Sequence, residues 1–106
     1  MDPRIQSVMS KLRTELTALY GARLKGIYLY GSHARGQATS ESDLDVLVIL
    51  DHIAHYSLEI DRTSSLVSSL SLHHGLTISR VFVAEHDWAN GNTAFLVNVR
   101  QIAIPA

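Results

Sequence analysis

Cysteine is absent from all 106 residues, so a disulfide framework, thiolate chemistry and Cys-ligated zinc are closed to this chain. That absence fits a reducing compartment, and a cytoplasmic protein is expected. Long apolar runs are also missing. The longest purely aliphatic stretch, Val46 to Leu50, is far shorter than a membrane span. The opening segment MDPRIQSVMSKLRTEL is charged and periodic where a signal peptide would be continuously apolar, so a soluble, unexported protein is expected. Nor is there an excess of either charge. Nine Lys and Arg against ten Asp and Glu leave a net charge of -1, which gives no general attraction to nucleic acid. No repeat, charge block or Pro/Gly linker divides the sequence, so residues 1–106 are read as one domain, too short for a separate substrate domain. Whatever the chain cannot build, a partner must supply.

What is present is a clear alternation of periods. Ile5, Val8, Met9, Leu12, Leu16 and Leu19 recur at three- and four-residue spacing and predict a helix from about Arg4 to Tyr20, with Asp2 as N-cap, Pro3 at N1 and Gly21 at the exit. GIYLY, Gly26 to Tyr30, predicts a short buried strand. LDVLVIL, Leu44 to Leu50, is apolar almost throughout and predicts a strand covered on both faces. Tyr56, Ile60, Thr63, Val67 and Leu70 mark a second helix to His74, closed by Gly75. A third strand, Leu76 to Ala84, follows at once. A last helix is expected near Thr93, with Phe95, Leu96 and Val99 inward. The pattern is α/β, a small sheet with helices packed against it.

Between the first two strands lies YGSHARGQATSESDLD, Tyr30 to Asp45. Side chains alternate along a strand, so Asp43 and Asp45 project to one side, roughly 7 Å apart at about 3.3 Å per residue. One reading of such a pair is a strand edge with a capping carboxylate. The other is a site for divalent metal, and Asp45 favours it, because an ionised carboxylate in an apolar strand is costly unless paired or ligated. Gly31 lets the backbone turn sharply as the preceding strand ends, and Ser32 adds a small hydroxyl. Such a turn directs backbone N–H groups at one point, which suits a phosphate. Arg35 adds bidentate charge and Gly36 lets the chain leave unobstructed. No Gly-Lys-Ser/Thr follows, so this is not the P-loop of that type. The residues between Gly36 and Asp43 read as a flexible spacer. A magnesium-chelated triphosphate suits both halves, since magnesium takes one or two carboxylates plus phosphate oxygens.

Gly31-Ser32, ten intervening residues and Asp43-x-Asp45, with Ala34-Arg35-Gly36 and Ser42 between, resemble the signature of the DNA polymerase β-like nucleotidyltransferases. The resemblance is to the minimal nucleotidyltransferases (MNT) of prokaryotes in particular, and EIDR, ISRVFV and FLVNVR extend it over nearly the whole chain. It implies a polymerase β-like fold, a small mixed sheet flanked by helices. It also implies Mg2+-dependent transfer of a nucleoside monophosphate, AMP from ATP, to a hydroxyl. Asp43 and Asp45 would be the catalytic and metal-binding pair, with Gly31, Ser32, Arg35 and Gly36 on the nucleotide. Relatives of this size typically accompany an all-helical HEPN toxin in a hetero-oligomer and act as its antitoxin, in some cases by adenylylating a tyrosine. The family often carries a third carboxylate on the later strand, and here the matching place is Ser79. Glu85 shares that strand parity but lies about 20 Å on. Either two carboxylates suffice, the partner supplies the base, or the protein binds nucleotide without turnover and neutralises its partner by stoichiometric masking. A small-molecule transferase is the remaining alternative, one that would need an acceptor-binding domain.

Other signals read as structural. The six histidines lack zinc spacing, and His73 and His74 suit a helix C-terminus. His33 reads as an exposed loop residue or a nucleotide contact, and Trp88 as a packing anchor. The tail from Ile102 to Ala106 suits either a partner contact or a tucked final strand.

Overall fold

The computed structural model describes residues 2–39 and 41–106. Helix α1, Pro3–Tyr20, starts where the sequence says it should: Asp2 Oδ1 accepts from Arg4 N–H at 2.8 Å, satisfying one of the orphan donors of the first turn. A single 3-10 turn, Gly21–Arg23, leads into strand β1, Leu24–Tyr30. Then come α2, Gly31–Ala34, β2, Leu44–Leu50, and α3, Tyr56–His74. The chain finishes with β3, Ile78–Ala84, α4, Glu85–Asn90, α5, Ala94–Ile102, and the two-residue β4, Ile104–Pro105. The tail is thus a tucked strand.

The four strands form one mixed sheet in the order β3-β2-β1-β4. β1 runs antiparallel to β2 and to β4, whereas β2 and β3 are parallel and joined through α3, as a parallel pair requires a crossover. Alternation then sorts the side chains. Ile27, Leu29, Leu44, Val46, Val48, Ile78 and Phe82 pack on α1 and α3. Leu47, Ile49 and Val83 face the other way, onto Leu96 and Val99 of α5. Every residue of β2 but Asp45 is buried, as expected for a strand covered on both sides. Asp45 shares the parity of Leu47 and Ile49, so it lies at the open end of the α5 face.

Several expectations need correction. Only Ile27 and Leu29 of β1 are fully buried, because its second face meets partial cover from the short α4 and from α5. Leu19 is 45% exposed, lying at the edge of the α1 stripe, and Phe95 is 43% exposed, pointing across the sheet end while Leu96 and Val99 point in. On α3, Tyr56 is exposed and Ile60 half-buried, whereas Glu59 is buried. The helix α4 had no periodic signal in its six residues. Trp88, within it, is a packing anchor, stacked on Tyr28 with ring centroids 4.9 Å apart. His73 and His74 lie in the last turn of α3, as expected. Burial, with Lys11 and His73 nearby, lowers the pKa of His74, and its Nε2 is buried without a hydrogen-bond partner among the described residues.

Glu59 is tolerated inside because its oxygens are claimed. Tyr20 Oη donates to Oε1 at 2.9 Å, Arg23 to Oε2 at 3.3 Å, and Arg62 to Oε1 at 3.2 Å. Arg23 also donates to Asp51 at 3.1 Å, so the cluster ties α1, the end of β2 and α3 together. Burial and the bond to Glu59 hold the Tyr20 phenol well above its usual pKa. Glu59→Ala is expected to lose about 2 kcal/mol in urea unfolding, with Glu59→Gln losing less. Both arginines keep contact with water, so the loss stays below that of severing a fully buried pair.

Candidate active site

β1 ends at Tyr30 and the chain turns at once into α2, with Gly31 at φ +72°. Two reasons make this glycine. That φ disfavours any side chain, and a Cβ here would collide with the Asp45 carboxylate, coming 3.1 Å from its Cγ. The turn therefore closes directly on the acidic strand. Arg35 N–H donates to Gly31 O at 3.2 Å and Gln37 N–H to Ser32 O at 2.9 Å. Gly36, at φ +69°, needs glycine for its backbone alone, since an added Cβ would meet nothing within 4 Å.

The expected flexible spacer is a hydrogen-bonded turn at its far end. Thr39 N–H donates to Ser42 Oγ at 2.9 Å, and Ser42 N–H returns to Thr39 O at 3.1 Å, a local arrangement that Ser and Thr favour. His33 belongs to this arrangement too. Its Nε2 sits 3.5 Å from Ser42 O, joining the glycine turn to the approach of Asp43. From sequence it reads as an exposed loop residue or a nucleotide contact.

Asp43 is exposed just ahead of β2, and Asp45 is half-buried at its second position. The register puts Tyr30 on one side of Asp45 and Ser79 on the other. Sequence spacing brought Gly31, Ser32, Arg35, Gly36, Asp43 and Asp45 into one neighbourhood. Ser79, the place the resemblance matches to a third carboxylate, pairs directly with Asp45, and the structure adds Tyr30, which only register could reveal. Burial raises the Asp45 pKa above the ordinary carboxylate value, the charge of Asp43 adds to the rise, and His33 and Arg35 partly oppose it. Burial and the same Asp45 charge raise Tyr30.

Two carboxylates that repel each other form a donor set for a divalent ion completed by non-protein ligands. Among the described residues no three His, Asp or Glu side chains converge as a closed cage. The residues fit a magnesium held jointly with phosphate oxygens. One consequence concerns stability. A native pKa raised above the unfolded value makes the unfolded chain bind fewer protons between the two values, so stability falls as pH rises through that window. Asp45→Asn is expected to raise the melting temperature of the ligand-free protein near neutral pH. Scanning at successively lower pH should show the gain disappear below the ordinary carboxylate range.

The fold and this site define a nucleotidyltransferase architecture. The sequence profile of the nucleotidyltransferase domain matches residues 9–75, and the chain belongs to that family. Over 70 residues it is 36% identical to a Methanocaldococcus jannaschii protein provisionally named protein adenylyltransferase MJ0604, covering 66% of this chain and 64% of that one. The chain thus spans just under two-thirds of that relative's length. A solved structure provisionally named minimal nucleotidyltransferase is 26% identical, with a TM-score of 0.61, covering 100% of this chain and 97% of the other. A toxin-antitoxin crystallised with AMP-PNP shares the fold at 20% identity, with a TM-score of 0.64, over 91% of this chain and 69% of that chain. Among the described residues no helix is long and apolar enough to cross a membrane.

Proposed function

We propose that the chain, acting as one minimal domain over residues 1–106, transfers AMP from ATP to a hydroxyl of a partner toxin and so serves as its antitoxin. The observation that carries this is the closure of the Gly31 turn on Asp45, which sets the backbone turn directly against the acidic strand. The partner is expected to be a helical protein of the HEPN type, held in a hetero-oligomer. The toxin-antitoxin similar in fold, crystallised with an ATP analogue, and the relative named for adenylyl transfer to protein support a toxin as the acceptor, and the HEPN type rests on the family resemblance.

Magnesium, when bound, would neutralise phosphate charge and polarise the reacting phosphorus. Asp43 and Asp45 would hold it. The backbone at Gly31 and Ser32 would orient the terminal phosphates, Gly36 would keep the turn open, and Arg35 would offset charge growing on the leaving group. Positioning of this kind is most of what phosphoryl-type transfer needs from a protein.

Stoichiometric masking is the second reading, and Ser79 favours it. In register with Asp45, it puts a hydroxyl where a carboxylate would complete the site and receive the acceptor proton. The first step of the catalytic reading is tested by calorimetry with AMP-PNP. Affinity is expected to fall at least about tenfold when Mg2+ is replaced by EDTA, and again in Asp43→Ala. Binding indifferent to both changes would remove the metal-nucleotide site and leave masking.

A further inference from the structure

We infer that the groove along the free edge of β3 is the acceptor subsite, receiving the apolar flank of a polypeptide segment whose hydroxyl takes the nucleotide. This rests on the transferase reading above. The acceptor oxygen bonds to the α-phosphorus as the bond to the bridging oxygen breaks. Pyrophosphate leaves and the hydroxyl proton passes to solvent. Attacking and leaving oxygens lie roughly in line in such a displacement. The sheet order turns that requirement into a direction. The Gly31 turn lies at the end of β1, the carboxylates open β2, and β3 is the next strand across. Terminal phosphates over the end of β1 therefore place the incoming hydroxyl on the β3 side.

That side has a fitting cavity. Ser79 neighbours Asp45, and Val81, the next residue on the same face, lies about 7 Å along the strand. Val81 is already a wall of a groove of about 370 Å³, completed chiefly by Val83, Leu96, Phe95, Tyr56 and Asp87. Phe95 joins the groove to the site, since its ring packs edge-on against Tyr30 at 5.9 Å, and Tyr30 is paired with Asp45.

The lining selects the occupant. Tyr56 and Phe95 are 44% and 43% exposed, two aromatic surfaces open to an apolar side chain. Among the described residues, no Lys or Arg lines the groove and one carboxylate, Asp87, does. A phosphodiester chain would be repelled, whereas a neutral or basic polypeptide is complementary. The cation of β3, Arg80, is turned away, its Nε donating to Thr63 Oγ1 at 2.7 Å. Phe82 N–H points off the sheet edge and donates to Tyr56 Oη at 3.2 Å. Part of the edge is thereby closed, so side chains rather than strand addition read the segment.

The test is a titration of the isotope-labelled full chain, with AMP-PNP and Mg2+ present, followed by NMR. The probes are a lysine-tagged peptide with tyrosine between two leucines, its counterpart with serines in place of the leucines, and hexaadenylate RNA. The leucine peptide is expected to shift the methyl signals of Val81, Val83 and Leu96 and to bind at least about fivefold tighter than the serine peptide. Phe95→Ser should weaken it about tenfold while AMP-PNP affinity holds, and the milder Val81→Thr should act in the same direction. Shifts mapping elsewhere or absent, equal binding of the two peptides, or tighter binding of hexaadenylate would overturn the subsite. AMP-PNP affinity is read in the same samples, so loss of the nucleotide site registers separately from loss of the groove.

Discussion

Replacing Asp45 with asparagine is expected to lower AMP transfer by roughly a thousandfold while the fold survives. Asparagine keeps the size of the side chain, and the half-buried position at the start of β2 has little packing to lose. What disappears is the charge that, with Asp43, would hold the metal against the phosphates. Electrostatic stabilisation by a bound ion is worth several kcal/mol, and about 4 kcal/mol corresponds to that loss. The same substitution relieves the cost that burial and Asp43 impose on the ligand-free protein. Activity and stability should therefore move in opposite directions, as at sites where function strains the fold. Steady-state rates and melting curves on the same preparation would show it. A variant losing both stability and activity would mean that Asp45 is structural.

Gly31→Ala is expected to be nearly as severe by another route. A φ of +72° costs a β-carbon about 1–2 kcal/mol, and the new methyl also occupies the place of the Asp45 carboxylate. Either the turn opens or Asp45 is displaced, and both separate the phosphate half of the site from the metal half. Nucleotide affinity in the presence of Mg2+ should fall by roughly 10- to 100-fold, since losing an aligned charge-assisted contact costs about 1.5–3 kcal/mol. Gly36→Ala is the informative comparison. It shares a positive φ but meets nothing within 4 Å, so it should show the backbone cost with a much smaller loss of Mg2+-dependent binding. Equal losses in the two variants would show that steric closure on Asp45 contributes nothing.

Much of the fold was legible because its signals are local. β2 and α3 begin and end where apolar run, helical stripe and Gly75 place them, since burial on two faces and a left-handed C-terminal glycine leave marks in consecutive residues. Glu59 was not legible as a core residue. Its partners Tyr20 and Arg23 are 39 and 36 residues away, and a carboxylate whose local partner is Arg62, three residues on, reads as half of a surface helix pair. Phe95, Leu96 and Val99 all read as inward, yet the direction of α5 across the sheet decides which apolar residue remains at the rim. The candidate site divides in the same way. Gly31, Asp43 and Asp45 carry a spacing that sequence displays, whereas the contact of Gly31 with Asp45, the pairing of Asp45 with Ser79 and the groove beside them depend on sheet register and order. His33 sits between these cases. It lies inside the motif, but the only hint of its tie to Ser42 was a pair of polar residues nine apart.

The central claim is that a nucleotide site closes around Gly31, Asp43 and Asp45 and acts covalently on a partner. Incubating the purified chain and the proposed toxin partner with Mg2+ and ATP labelled at the α-phosphate tests this most directly. The account predicts covalent label on the toxin, toxin activity falling in step with labelling, and loss of both with Asp43→Ala. Neutralisation by Asp43→Ala as complete as by the unaltered chain, with no label on the toxin, would contradict it.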